Sequence, residues 1–114
     1  MQNYRSDLKG RCYKFSLAVI ELIDRMPQKR SAWVIGDQVL RSATSIGANL
    51  VEARASSSRL EFKKFQEIAL KSANETIYWL GLLRDSRLTS EQEVAPLEKE
   101  CVEIANMIAS GIMK

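Results

Sequence analysis

The fold this sequence predicts is all-α, an antiparallel up-down-up-down bundle of four helices, and three observations point to it. Apolar residues recur at alternating spacings of three and four in four separate stretches, the period of a helix with one buried stripe. The segments between those stretches are short and carry serine caps, which leaves room only for antiparallel returns. The 114 residues hold only two prolines and five glycines, and 46% are hydrophobic, a helix-rich globular composition.

The first helix is expected over about residues 6–25. Leu8, Cys12, Phe15, Val19, Leu22 and Met26 form its seam at a 4-3-4-3-4 spacing. Ser6 is the expected N-cap, and Asp7 follows where the helix dipole favours an acid. Gly10 costs about 1 kcal/mol relative to alanine in a helix interior, which loosens the first turns. Pro27 disfavours helical geometry at Met26 and closes the helix.

The second helix, about 31–54, is capped by Ser31 and buries Val39, Ala43, Ile46, Gly47 and Leu50. Ala43 and Gly47 are expected at a close helix–helix contact, and Asp37 and Arg41 are spaced for an ion pair. The third, about 58–85, opens on a capping box of Ser58 and Glu61. Phe62, Phe65, Ala69, Ser72, Thr76, Trp79, Leu80 and Leu83 make its core side. The fourth, about 90–112, starts on a second box, Ser90 with Glu93, and buries Val94, Leu97, Cys101, Ile104, Ile108 and Ile112. Pro96 lies too deep for a first-turn proline, so an irregular or restarted first turn is expected there.

Residues 1–114 are expected to form one domain, since this length supports a single core. The longest aliphatic run, Leu17-Ala18-Val19-Ile20, is far short of the roughly 20 residues a membrane span needs. The first residues lack the apolar segment of a signal peptide. A cytoplasmic protein without membrane contact is therefore expected, with Cys12 and Cys101 as buried free thiols. The sequence has no histidine, which removes the commonest general base and the commonest borderline-metal ligand. Ser45 has no histidine to activate it, and neither Gly36 nor Gly47 belongs to a phosphate-binding loop. No enzyme, metal or cofactor is expected.

Partners are the better question. Net charge is +3, but residues 1–30 carry seven Lys and Arg against three acids. Arg5, Lys9, Arg11 and Lys14 are the candidate phosphate contacts within that segment. The back of the second helix is filled with short side chains where long charged ones are usual. Arg41, Ser45, Ala48 and Glu52 repeat there, with Ser42 and Asn49 on the edge. Leu70 and Ile77 add an apolar flank to the third helix, over 100° from its core centre at about 100° per residue. Arg41, Ser45, Ala48, Asn49, Glu52, Leu70 and Ile77 are the candidate oligomer interface. The two patches differ, so the simplest contact is heterologous, which makes a closed ring when the rotation closes.

Arg11-Cys12-Tyr13-Lys14-Phe15, the Met26-Pro27 pair and the run from Gln38 to Ala53 together resemble the four-helix bundle family of 23S ribosomal RNA intervening-sequence proteins. The similarity continues through Glu61 to Phe65 and Ile68 to Ala73 and covers nearly the whole chain. The resemblance implies a small non-enzymatic bundle, related to the accessory variability proteins of diversity-generating retroelements. Those relatives imply a homopentamer that binds nucleic acid, RNA or DNA, and a reverse transcriptase; they are more basic than this chain. The expected function is a homo-oligomeric scaffold or accessory factor, and the alternative is a structural interaction bundle without nucleic-acid affinity.

Overall fold

Four helices form where the apolar spacing requires them: α1 Tyr4–Asp24, α2 Arg30–Arg54, α3 Arg59–Asp85 and α4 Glu91–Ile112. The computed structural model describes the backbone of residues 4–113 and the side chains of residues 7–113. Each helix packs on its two neighbours around the bundle, α1 on α2 and α4, α3 on α2 and α4. Among the described residues the diagonal pairs, α1 with α3 and α2 with α4, stand farther apart.

The serine half of each expected capping box forms, while Glu61 Oε1 accepts from the Ser57 amide rather than that of Ser58. Ser58 Oγ accepts from the Glu61 amide at 3.1 Å, and Ser90 Oγ accepts from the Glu93 amide at 3.2 Å. Each satisfies one of the four orphan amides of a helix start. The other two starts differ from expectation. Helix α1 begins at Tyr4, so Ser6 lies inside it rather than capping it. Lys29 caps α2 through its backbone alone, and Ser31 is already in the first turn. Pro96 does not interrupt α4, which is continuous from Glu91. Pro96 and Gln92 are both exposed, so the carbonyl that the proline leaves without an amide donor faces water. The α3–α4 turn passes through Arg87 at φ 62°, the left-handed position that glycine usually takes after a helix.

The core is the intersection of the four stripes. Val19, Leu22, Val39, Ile46, Leu80, Leu83, Ile104 and Ile108 are all but fully enclosed. Leu50, Phe62, Phe65, Trp79, Leu97 and Ile112 are half-buried at its rim. Among the described residues no helix is long and apolar enough to cross a membrane.

Cys12 and Cys101 are buried and unbridged, and the Cys101 thiol donates to the Ala73 carbonyl at 3.4 Å. Burial is the first cause pushing both thiols up to about 12, from 9.0. A thiol whose pKa is raised by folding stabilises the fold below its unfolded value and loses that contribution as pH rises through the folded one. Chemical denaturation should therefore show no thiol-linked change from pH 6 to about 8 and a decline between about pH 9 and 12. A C12A/C101A variant should lack that alkaline decline.

Candidate interaction surface

The back of α2 is only partly a free surface. Ser42 is fully buried, and its hydroxyl meets Thr76 Oγ1 at 2.8 Å across the α2–α3 contact. Thr76 also donates to the Ser72 carbonyl at 2.7 Å. One turn along, Ser45 Oγ and Ser72 Oγ share a 2.8 Å hydrogen bond. Asn49 Nδ2 then donates to the Ser45 carbonyl and hydroxyl at 2.8 and 2.9 Å. Short side chains let two helices approach, and the hydroxyls brought inside must pair with one another. The seam is thus internal: Ser42 belongs to the core, Ser45 pairs with α3, and half-buried Asn49 holds Ser45.

Arg41 does not pair with Asp37 as its spacing suggested. Its guanidinium reaches across to Glu75 and also holds Gln38 Oε1. Trp79 Nε1 donates to the same Glu75 carboxylate at 2.8 Å. Those bonds, the indole's first, hold the Glu75 carboxyl below its usual range. Of the expected α2 patch, Arg41, Ala48 and Glu52 remain exposed. Leu70 and Ile77 are not an exposed flank: both are half-buried and packed against the core. Helix α3 packs on α2 and on α4, so its apolar arc is wider than a single stripe, and the two residues fall inside that arc.

The basic candidates separate in the same way. Arg5 has its side chain outside the described residues. Lys9 and Lys14 are exposed. Arg11 is engaged by α4: its Nε donates to Glu100 Oε2 at 2.9 Å and its Nη2 to Oε1 at 2.6 Å. Glu103 adds a second carboxylate 3.5 Å away. This bidentate pair, led by the Glu100 hydrogen bond, holds the guanidinium above its ordinary value. Arg11 is a brace between α1 and α4 rather than a free phosphate ligand.

A different surface emerges beside these. Tyr13, Leu17 and Ile20 on α1, with Trp33, Val34 and Val51 on α2, are large apolar residues left in solvent. Tyr13 is 70% exposed and Trp33 60%. A groove with mostly apolar walls runs between the two helices, lined by Gly10, Tyr13, Thr44, Gly47, Ala48 and Val51, with Lys9 and Lys14 beside it. Its floor is low where Gly47 sits against Cys12, and α1 and α2 approach again farther along at Gly36. A Cβ on Gly47 would meet Cys12 Cβ at 3.4 Å, and one on Gly36 would meet Ile23 at 3.5 Å. Sequence reasoning missed this face, although a signal existed. Tyr13, Leu17 and Ile20 keep a 4-3 spacing of their own, opposite the stripe of Leu8, Cys12, Phe15 and Val19. Among the described residues there is no cluster of three or more metal-ligating side chains.

The model of the family described as 23S rRNA-intervening sequence protein matches residues 6–110 of the chain. A crystal structure of a protein of unknown function from the S23 ribosomal protein family of Bacteroides thetaiotaomicron superposes with a TM-score of 0.92. The two chains are 32% identical over 98% of this chain and 100% of that one. Comparison with curated proteins gives no match.

Proposed function

Because the chain belongs to the 23S rRNA-intervening sequence protein family, we propose that it is a non-enzymatic, homo-oligomeric scaffold whose α1–α2 face joins one copy to another. The observation that carries this reading is the set of large apolar side chains, Tyr13, Leu17, Ile20, Trp33 and Val51, left in solvent on two adjacent helices. Single exposed apolar residues are ordinary, whereas a contiguous set rimmed by charge marks an interaction surface. Sedimentation equilibrium at tens of micromolar is the test. The expected mass is a multiple of the 12.9 kDa chain; a single-chain mass over the whole range would overturn the reading. Ala48→Arg, which places bulk and charge in the groove, should dissociate the assembly while the far-ultraviolet circular dichroism stays helical.

A second activity, nucleic-acid binding, is favoured by one further feature. Lys9 shares an end of the bundle with exposed Arg54, Arg59, Lys63 and Lys64, where α2 ends and α3 begins. Assembly multiplies such a patch. Binding there is expected to be electrostatic and indifferent to sequence, with affinity falling steeply as salt rises. Changing Arg54, Arg59, Lys63 and Lys64 to Gln should flatten that salt dependence, and unchanged affinity would remove the reading.

A further inference from the structure

We propose that a small pocket at the end of the bundle, beside the α2–α3 turn, binds a short aliphatic carboxylate of about four carbons. The ligand's chain lies against Leu8, Leu50, Ala53 and Phe62, and its carboxylate faces Lys9 and Arg54. This site goes beyond the scaffold and nucleic-acid readings and depends on neither.

The pocket follows from one short residue. Val39, Ile46 and Ala53 recur every seven positions along α2, and all three are buried. The first two fill the core with branched side chains, whereas the third stops at a methyl group. The neighbours do not close over the space this leaves. Leu8 of α1, Leu50 of α2 and Phe62 of α3 stand around it instead. Its free volume is about 40 Å³. One water needs about 10–15 Å³ on this measure, so the space holds about three waters or a chain of about three carbons. Water gains little there, because the walls are almost wholly apolar, and such cavities take hydrocarbon in preference.

The mouth has the opposite character. Lys9 and Arg54 border it, both exposed, and half-buried Gln66 adds an amide that can donate. Among the described residues no acid lines the pocket, and neither cation is in an ion pair. Arg11, Arg25, Arg41 and Arg84, by contrast, are each held by a carboxylate. The carbonyls at the end of α2, which would repel an anion, are already engaged. The Ala55 amide donates to Val51 and Glu52, and the Ser56 amide and hydroxyl to Ala53. A guanidinium fork and an ammonium above an apolar floor suit a chain that ends in a carboxylate.

The test is a titration with sodium butyrate at constant ionic strength, followed by the methyl resonances of Leu8, Leu50 and Ala53. They should shift and saturate, with half-saturation at about 1–10 mM for a ligand of about six heavy atoms. Butanol and butylamine, with the same chain and no negative charge, should bind about tenfold or more weakly. Acetate, too short to reach the walls, should leave these methyls unshifted. Lys9→Gln with Arg54→Gln, at two exposed positions, should keep the parent's circular dichroism and weaken butyrate about tenfold. Ala53→Val, which restores the branched stripe of α2, should abolish the shifts while the chain melts no lower than the parent. Shifts that fail to saturate, butanol binding as tightly as butyrate, or a double variant that keeps the parent's affinity would each overturn the proposal.

Discussion

Leu80→Ala should lower the free energy of unfolding by about 2–5 kcal/mol, among the larger effects expected of a single truncation. Leu80 is fully enclosed on α3, between the α2 and α4 contacts, so the lost methyl groups leave a cavity that neighbouring side chains cannot fill. The matched test is Leu70→Ala. Leu70 is half-buried against the core and lines a shallow surface depression with Lys64, Glu67, Lys71 and Ile112. Its truncation should cost less, about 1–2 kcal/mol, since part of its surface is wet in the native state. It should not change the oligomeric mass. If Leu70→Ala altered mass and spared stability, the flank of α3 would be an interface after all, and a heterologous ring would regain its second surface.

Arg11→Met should destabilise by about 1–3 kcal/mol, because it leaves Glu100 partly buried without its bidentate partner. Both side chains keep some contact with solvent, about 30% each, which places the effect toward the lower half of that range. Lys9→Gln and Lys14→Gln, on exposed side chains in the same helix, should stay within about 0.5 kcal/mol of the parent. A double-mutant cycle with Glu100→Gln separates the pair's coupling from the packing of the arginine stem. An Arg11→Met variant that unfolded like the parent but lost affinity for nucleic acid would restore Arg11 as a phosphate contact.

The bundle was legible because the spacing that makes each helix amphipathic also specifies which face it buries. Leu8 to Leu22 on α1 and Val94 to Ile108 on α4 read directly as core. Ser58 with Glu61 and Ser90 with Glu93 marked two of the four starts by local chemistry alone. What was not legible depended on neighbours. A serine looks the same in sequence whether it faces water or another hydroxyl, so the Ser42–Thr76 and Ser45–Ser72 pairs read as a small outer patch. Arg11 looked like part of a basic cluster because its acidic partners are 89 and 92 positions away, on α4. Leu70 and Ile77 were placed by distance from one stripe, whereas α3 carries two. The face of Tyr13, Leu17, Ile20 and Trp33 needed the α1–α2 pairing itself, which brings two unremarkable half-stripes side by side.

The most direct measurement of the central claim is the fluorescence of Trp33. The sequence has two tryptophans, so Trp79→Phe leaves Trp33 as the sole reporter. In the isolated chain its indole is 60% exposed and should emit at the long wavelength of a wet tryptophan. Assembly through the α1–α2 face predicts a concentration-dependent blue shift that follows the rise in mass and is abolished by Ala48→Arg. Emission that stays at the long wavelength while the mass rises would mean that the chains join through some other surface.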